Sequence, residues 1–166
     1  MRTLFDFLRD SWVINLYAPI DGTIKLIEEV PDTIFAEKIV GEGIALEPTG
    51  RVVVAPCDGK IVQISSTNHA VGIVTDLGLE ILIHVGMDTV ELNSEGFKRI
   101  AVVGMRVEKG DVLLELDLER IKALGKSVIT PFVITNMEQA DITYIAKGKA
   151  IAGETIVMTV KVKKKE

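Results

Sequence analysis

Residues 67–91 read TNHAVGIVTDLGLEILIHVGMDTVE, and this stretch holds both histidines of the 166-residue chain. From Leu79 to Val85 every residue is apolar except Glu80 and His84, and branched side chains dominate, which predicts a strand. Strand side chains alternate between faces, so Ile81, Ile83 and Val85 share one side while Glu80, Leu82 and His84 share the other. His69 opens a second strand-like run, His69 to Val74. The connection Thr75-Asp76-Leu77-Gly78 has the composition of a hairpin turn. An antiparallel hairpin of this kind can set the imidazoles of His69 and His84 side by side. A single histidine on a strand is more often structural than catalytic, so it is the pairing that points to function.

The composition narrows the classes of function. With 19 Lys+Arg against 24 Asp+Glu the formal net charge is −5, and nucleic-acid binding calls for a basic stripe instead. One cysteine, Cys57, rules out an internal disulfide framework and suits a reducing compartment. No apolar run approaches the roughly 20 residues of a membrane-spanning helix. Asp6, Arg9 and Asp10 interrupt what would be the apolar core of a secretory signal. The expectation is a cytoplasmic protein.

At this length one domain is expected. Leu4, Phe5, Leu8 and Trp12 recur at helical spacing, which predicts an N-terminal arm over 1–17 containing a short amphipathic helix, ahead of a domain over 18–166. Two internal repeats organise that domain. Ala18-Pro-Ile-Asp-Gly-Thr-Ile24 returns as Ala55-Pro-Cys-Asp-Gly-Lys-Ile61, and Val107–Leu113 is echoed more loosely by Ile151–Ile156. Closely spaced strands with Gly- and Pro-rich turns predict a mainly β, antiparallel β-sandwich with few short helices. The paired repeats resemble a barrel-sandwich hybrid that has been duplicated. Between them, Val30–Phe35 and Gly41–Gly43 read as loops joined by a short strand over Lys38–Val40. Asp117–Gly125 reads as a helix capped by Asp117 and ended by Gly125. The lysines at 161, 163, 164 and 165 read as a solvated tail.

Three segments carry a family resemblance: Thr67-Asn68-His69-Ala70, then Ile83-His84-Val85-Gly86-Met87-Asp88-Thr89-Val90-Glu91, then Glu95-Gly96-Phe97. Together they resemble the phosphorylation site of the enzyme IIA component of the glucose family, from the bacterial phosphoenolpyruvate-dependent sugar phosphotransferase system. The similarity runs from about Ala18 to the C-terminus.

The resemblance implies a phosphocarrier, a phosphotransferase component that accepts a phosphoryl group from phospho-HPr and passes it to the cysteine of a sugar-specific IIB domain. It implies His84 as the phospho-accepting nucleophile through Nε2 and His69 as the residue that stabilises the phosphoryl group. Thr67 would hydrogen-bond at His69, and the Gly86 carbonyl would fix the His84 tautomer. Asp32 and Asp88, with Glu91, would meet basic partners at the rim. Ile34, Phe35, Ile39, Val40, Leu82 and Val90 match an apolar docking surface. The implied partners are HPr, the IIB and membrane-bound IIC parts of a permease, and regulatory proteins that bind the unphosphorylated form. No cofactor is obligatory, although His69 and His84 could hold zinc if a partner completed the site. Ser65 stands where the family often has an aromatic residue, which would re-tune one partner contact.

The chemistry agrees with these roles. Histidine, with an unperturbed pKa of about 6.5, offers a neutral nitrogen nucleophile at cellular pH. Phosphoryl transfer asks a protein mainly for alignment and charge neutralisation. No Walker-type glycine loop or kinase signature is present, so direct use of a nucleotide is not expected. Cys57, in a repeat turn whose other copy carries Ile20, reads as an apolar filler and not a second nucleophile. Two alternatives stand beside this reading. A zinc-dependent hydrolase could use His84 and Asp88, but catalytic zinc normally takes three protein ligands. A non-catalytic barrel-sandwich binding module would carry a modified lysine on a hairpin tip, and Lys60 does not sit in such a turn.

Overall fold

The computed structural model describes residues 11–163. Fourteen strands make up its architecture, with two helices of four and six residues. In chain order the strands are β1 Ser11–Tyr17, β2 Gly22–Leu26, β3 Glu42–Pro48, β4 Val52–Val54, β5 Gly59–Ile64, β6 Ala70–Val74 and β7 Glu80–His84. They continue as β8 Phe97–Arg99, β9 Arg106–Val107, β10 Val112–Leu116, β11 Thr130–Ile134, β12 Ala140–Ile145, β13 Gly148–Ala150 and β14 Ile156–Lys163. Helix α1 is Thr33–Ala36 and α2 is Leu118–Ala123.

The duplication legible in the sequence is built into the sheet order. The eight-stranded sheet runs β13-β2-β3-β11-β7-β6-β5-β9, and two three-stranded sheets run β1-β14-β12 and β4-β10-β8. All the pairings are antiparallel. The two repeat turns interlock through matching bonds. Tyr17 N donates to Pro56 O (2.9 Å) as Val54 N donates to Pro19 O (2.8 Å). Gly153 N donates to Ala18 O as Gly110 N donates to Ala55 O, both at 2.9 Å. Asp21 Oδ1 accepts from Ala152 N (2.7 Å) and Asp58 Oδ1 from Lys109 N (2.9 Å). This explains the aspartate in both repeats: each carboxylate ties its own turn to the looser second repeat.

The halves meet along β7 and β11, where Leu82 lies opposite Val133. Alternation then sorts the side chains as expected. Ile81, Ile83 and Val85 are buried in the main core, while Leu82 and His84 are half-buried on the opposite face. A smaller apolar cluster forms on that face from Ile27, Val30, Phe35, Ala45, Met87, Ile129 and Val133, with Val40 and Leu82 packed against it.

Five local expectations are corrected. Ser11–Tyr17 is no part of an arm: it forms seven residues of strand against β14, where Leu16, Val160 and Val162 are buried, and that burial outweighs local helical spacing. The rest of the expected N-terminal helix lies outside the described residues. Lys161 and Lys163 are no tail but the exposed side of β14, with Lys164 and Lys165 outside the described residues. Thr33–Ala36 is helix, not loop, because Asp32 caps it by accepting from Ile34 N at 2.9 Å. Lys38–Val40 is not a strand: Lys38 adopts φ 61° and the amides of Ile39 and Val40 both turn back to Ile34 O. Glu42 and Gly43, read as loop, already belong to β3. The expected 117–125 helix forms as α2, with Asp117 Oδ1 accepting from Arg120 N (3.0 Å) and Gly125 left-handed at its end (φ 85°).

Candidate active site

The hairpin of β6 and β7 carries both histidines. Its register places Ala70 opposite His84, and the turn closes through Gly78 N to Thr75 O (2.9 Å) with Gly78 at φ 87°. Val85 N donates to His69 O at 2.7 Å, extending the pairing one step past the strand end. The imidazoles of His69 and His84 meet edge to face, with centroids 4.9 Å apart and planes at 82°. Phe35 of α1 covers the other flank of His84 at 5.0 Å.

Burial in this apolar setting governs the charge of both rings, because desolvation disfavours the imidazolium. It pushes the His84 pKa down to about 4; the neighbouring His69 pushes the same way, and the Gly86 backbone and the Asp32 carboxylate push back. Burial also lowers the His69 pKa. Both rings are therefore neutral near pH 7, and each neutral ring keeps one nitrogen with a free lone pair.

The loop before β6 holds His69 by its other edge. Thr67 Oγ1 lies 2.6 Å and Ser65 Oγ 3.2 Å from His69 Nδ1, leaving Nε2 as the nitrogen free to act. Asn68, left-handed at φ 63°, makes the bend. Arg99, reaching across from β8, fixes that bend by donating to Asn68 Oδ1 (2.8 Å) and Ser65 O (3.1 Å). From the sequence Ser65 stands out only as a departure at a partner contact, and Asn68 and Arg99 have no assigned role. The left-handed preference of Asn offered a signal for one of them; the reach of Arg99, thirty-one residues away, offered none.

Around His84 the picture differs from the expected one in one respect. Its Nδ1 is buried and makes no hydrogen bond, so the Gly86 carbonyl favours the protonated ring from nearby without closing a bond of ordinary geometry. Gly86 is nonetheless constrained. It sits at φ 79°, its N–H donates to Ile129 O, and a Cβ there would lie 2.4 Å from Thr89 Cγ2 and 2.7 Å from Ser127 O. Thr89, fully buried, donates to Val85 O at 2.7 Å and closes this turn from the other side.

The remaining candidates divide. Phe35, Val40 and Leu82 come together beside the histidines, whereas Phe35 is 94% buried and serves as a wall of the site more than as exposed surface. Ile34, Ile39 and Val90 are exposed by 51%, 68% and 53%. Asp32 lies close enough to His84 to influence its charge and is held by its capping bond. Asp88 is exposed at the head of the 3-10 turn Thr89–Leu92, in left-handed geometry at φ 57°. Glu91 already has an ion-pair partner in Lys126. On the same open face, Val62, Gly72, Val74 and Leu82 border a hollow of about 460 Å3.

The alternatives find less. Among the described residues no three His, Cys, Asp or Glu side chains gather in a metal-binding arrangement, and three protein ligands is the number that catalytic zinc normally takes. Lys60 lies within β5, paired with both Val74 and Arg106, and not at a hairpin tip. Cys57 is buried, and burial with the adjacent Asp58 raises its thiol pKa to about 12, which withholds the thiolate. No helix among the described residues is long and apolar enough to cross a membrane.

Comparison with known proteins agrees with this arrangement. A glucose-specific EIIA component from Haemophilus influenzae is 46% identical over 148 residues, covering 89% of each chain. An N-acetylglucosamine-specific EIICBA component from Klebsiella pneumoniae is 43% identical over 150 residues, covering 90% of this chain and 23% of that one. The solved structure of glucose permease IIA from Mycoplasma capricolum matches with a TM-score of 0.85 at 34% identity, over 89% of this chain and 96% of that one. The family model for the phosphoenolpyruvate-dependent sugar phosphotransferase system, EIIA 1, matches residues 14–140, and the chain belongs to that family.

Proposed function

We propose that this phosphotransferase-system component carries its phosphoryl group on His84 Nε2, taking it from phospho-HPr and yielding it to the cysteine of a IIB domain. The observation that carries the reading is the neutral, half-buried His84 held edge to face with His69 at 4.9 Å. In the first transfer the Nε2 lone pair attacks phosphorus, the N–P bond to the donor histidine breaks, and the donor imidazole leaves with the electron pair. In the second, the partner's thiolate attacks phosphorus and the N–P bond to His84 breaks, returning the lone pair to Nε2. The Nδ1 proton stays on the ring throughout, with the Gly86 carbonyl nearby to favour the positive charge that grows as N–P forms. His69, engaged at Nδ1, offers Nε2–H to a phosphoryl oxygen.

The exposed Ile34, Ile39 and Val90 serve as the docking surface, with Leu82 and Val40 at its floor, and exclude water from the transferring group. Asp32 and Asp88 meet basic side chains of the partners and steer association, as Glu91 does when it exchanges Lys126 for a partner. The same surface, unphosphorylated, is the one available to regulatory proteins. Zinc would join His69 and His84 only where a docked protein supplies a further carboxylate. The EIICBA relative carries its counterpart of this chain in one polypeptide with the B and C parts, which supports a IIB and IIC permease as partner and a place on the cytoplasmic side of the membrane. Glucose or a related sugar is the cargo of the permease, bound by the IIC part.

Incubation with enzyme I, HPr and labelled phosphoenolpyruvate tests the reading. Acid-labile, base-stable label is expected on wild type and on His69→Ala, and none on His84→Ala. His69→Ala is expected to keep its label when IIB is added. An unlabelled wild type with competent donors would remove the phosphocarrier assignment.

A further inference from the structure

We propose that Ser65 is the positioning residue that selects the tautomer of His69, by donating its hydroxyl proton to Nδ1 and so placing the ring proton on Nε2. The inference rests on the phosphocarrier reading only for its functional consequence. The geometry stands by itself.

A serine hydroxyl has one proton to give and two lone pairs to offer. Ser65 Oγ accepts from two backbone amides, His69 N at 3.1 Å and Ala70 N at 3.0 Å. Both lone pairs are thereby used. Its third contact, 3.2 Å to His69 Nδ1, can then be made only by donation, so Nδ1 is the acceptor. The proton of the neutral ring is left on Nε2. Thr67 Oγ1, at 2.6 Å from the same nitrogen, shows no such saturation and can give or take a proton. Thr67 alone therefore leaves the tautomer open, and Ser65 decides it.

The loop is tied so that Ser65 cannot turn away. Its N–H donates to Ala70 O (3.0 Å), and its carbonyl accepts from both Asn68 N (2.9 Å) and Arg99 Nη2 (3.1 Å). Arg99 Nε grips the Asn68 side chain as well. The serine hydroxyl is thus aimed by four backbone bonds and one arginine. The consequence is a His69 that presents a donor toward His84, the form a phosphoryl oxygen requires. The opposite tautomer would present a lone pair and repel it.

Nitrogen-15 NMR of the imidazoles at mildly alkaline pH reads the tautomer without any transfer reaction. In wild type, His69 Nδ1 is expected at the shift of an unprotonated nitrogen and Nε2 at that of a protonated one. Ser65→Ala is expected to move both toward averaged values, and Ser65→Thr to restore them. Onward transfer to IIB should fall in Ser65→Ala in proportion to the Nε2-protonated form that the nitrogen shifts show to be lost, about twofold where the two tautomers become equal. A wild-type His69 protonated on Nδ1 would overturn the inference, even if Ser65→Ala failed to fold. An unchanged tautomer in folded Ser65→Ala would overturn it equally. Failure of the phosphocarrier reading looks different, as absence of label on wild type.

Discussion

His84 lies between two rings that treat it oppositely: Phe35 at 5.0 Å removes water from it, while His69 at 4.9 Å offers a polar edge. Burial sets its charge state, with His69 pushing the same way, and the polar edge gives the neutral ring its use. A neutral imidazole against an aromatic wall is a good nucleophile that does not need to lose a proton first. One imidazole edge can then hold an oxygen of the group it captures.

The depressed His84 pKa makes stability depend on pH with a definite sign. The unfolded chain binds a proton on this histidine near pH 6.5, the folded one only near about 4. Between those values the unfolded state holds more protons, so stability is full above about pH 6.5 and falls as the pH drops toward 4. The full effect of such a shift is about 3 kcal/mol. His69, lowered in the same direction, adds to it. The melting temperature of wild type is expected to decline across that window, and that of His84→Gln to decline less steeply. Calorimetry at several pH values measures both, and parallel curves would contradict the buried neutral ring.

Phe35→Ala removes the wall. The cavity should cost roughly 3–5 kcal/mol of stability, and the admitted water should raise the His84 pKa toward the ordinary histidine range. Phosphohistidine, once formed, is expected to hydrolyse several-fold faster than in wild type. Proton NMR titration of the His84 ring follows the first effect and decay of label in donor-free buffer the second. A titration midpoint unmoved from the wild-type value would mean that Phe35 does not shield His84.

These residues were unevenly visible in the sequence. The hairpin, the facing of His84 and the duplicated turns were legible because alternation and Pro-Gly punctuation are local signals, and the two aspartates of the repeats bond within the turns they mark. Family resemblance pointed to Thr67 beside His69, and their contact is short range. Arg99 was invisible because its bonds to the loop cross from one sheet to another. Helical spacing near the N-terminus misled at Trp12, whose strand pairs with Val162, since a 150-residue separation leaves no periodic trace. Helix α1 was missed because four residues are too few to show a period.

Gly86→Ala tests whether the turn after His84 tolerates any side chain. The backbone is left-handed at φ 79°, and the added methyl would stand 2.4 Å from Thr89 Cγ2 and 2.7 Å from Ser127 O. The first of these neighbours cannot swing aside freely, because Thr89 Oγ1 is committed to Val85 O and the side chain is fully buried. The second is backbone. Steric and conformational costs together should reach roughly 2–4 kcal/mol, read as a lower urea midpoint. Relief of the clash would carry the Gly86 carbonyl away from His84, withdrawing the influence that favours its positive charge. Acceptance of phosphate should then slow at least tenfold in protein that is still folded. A Gly86→Ala variant as stable and as fast as wild type would show that neither the close packing nor this carbonyl matters to His84.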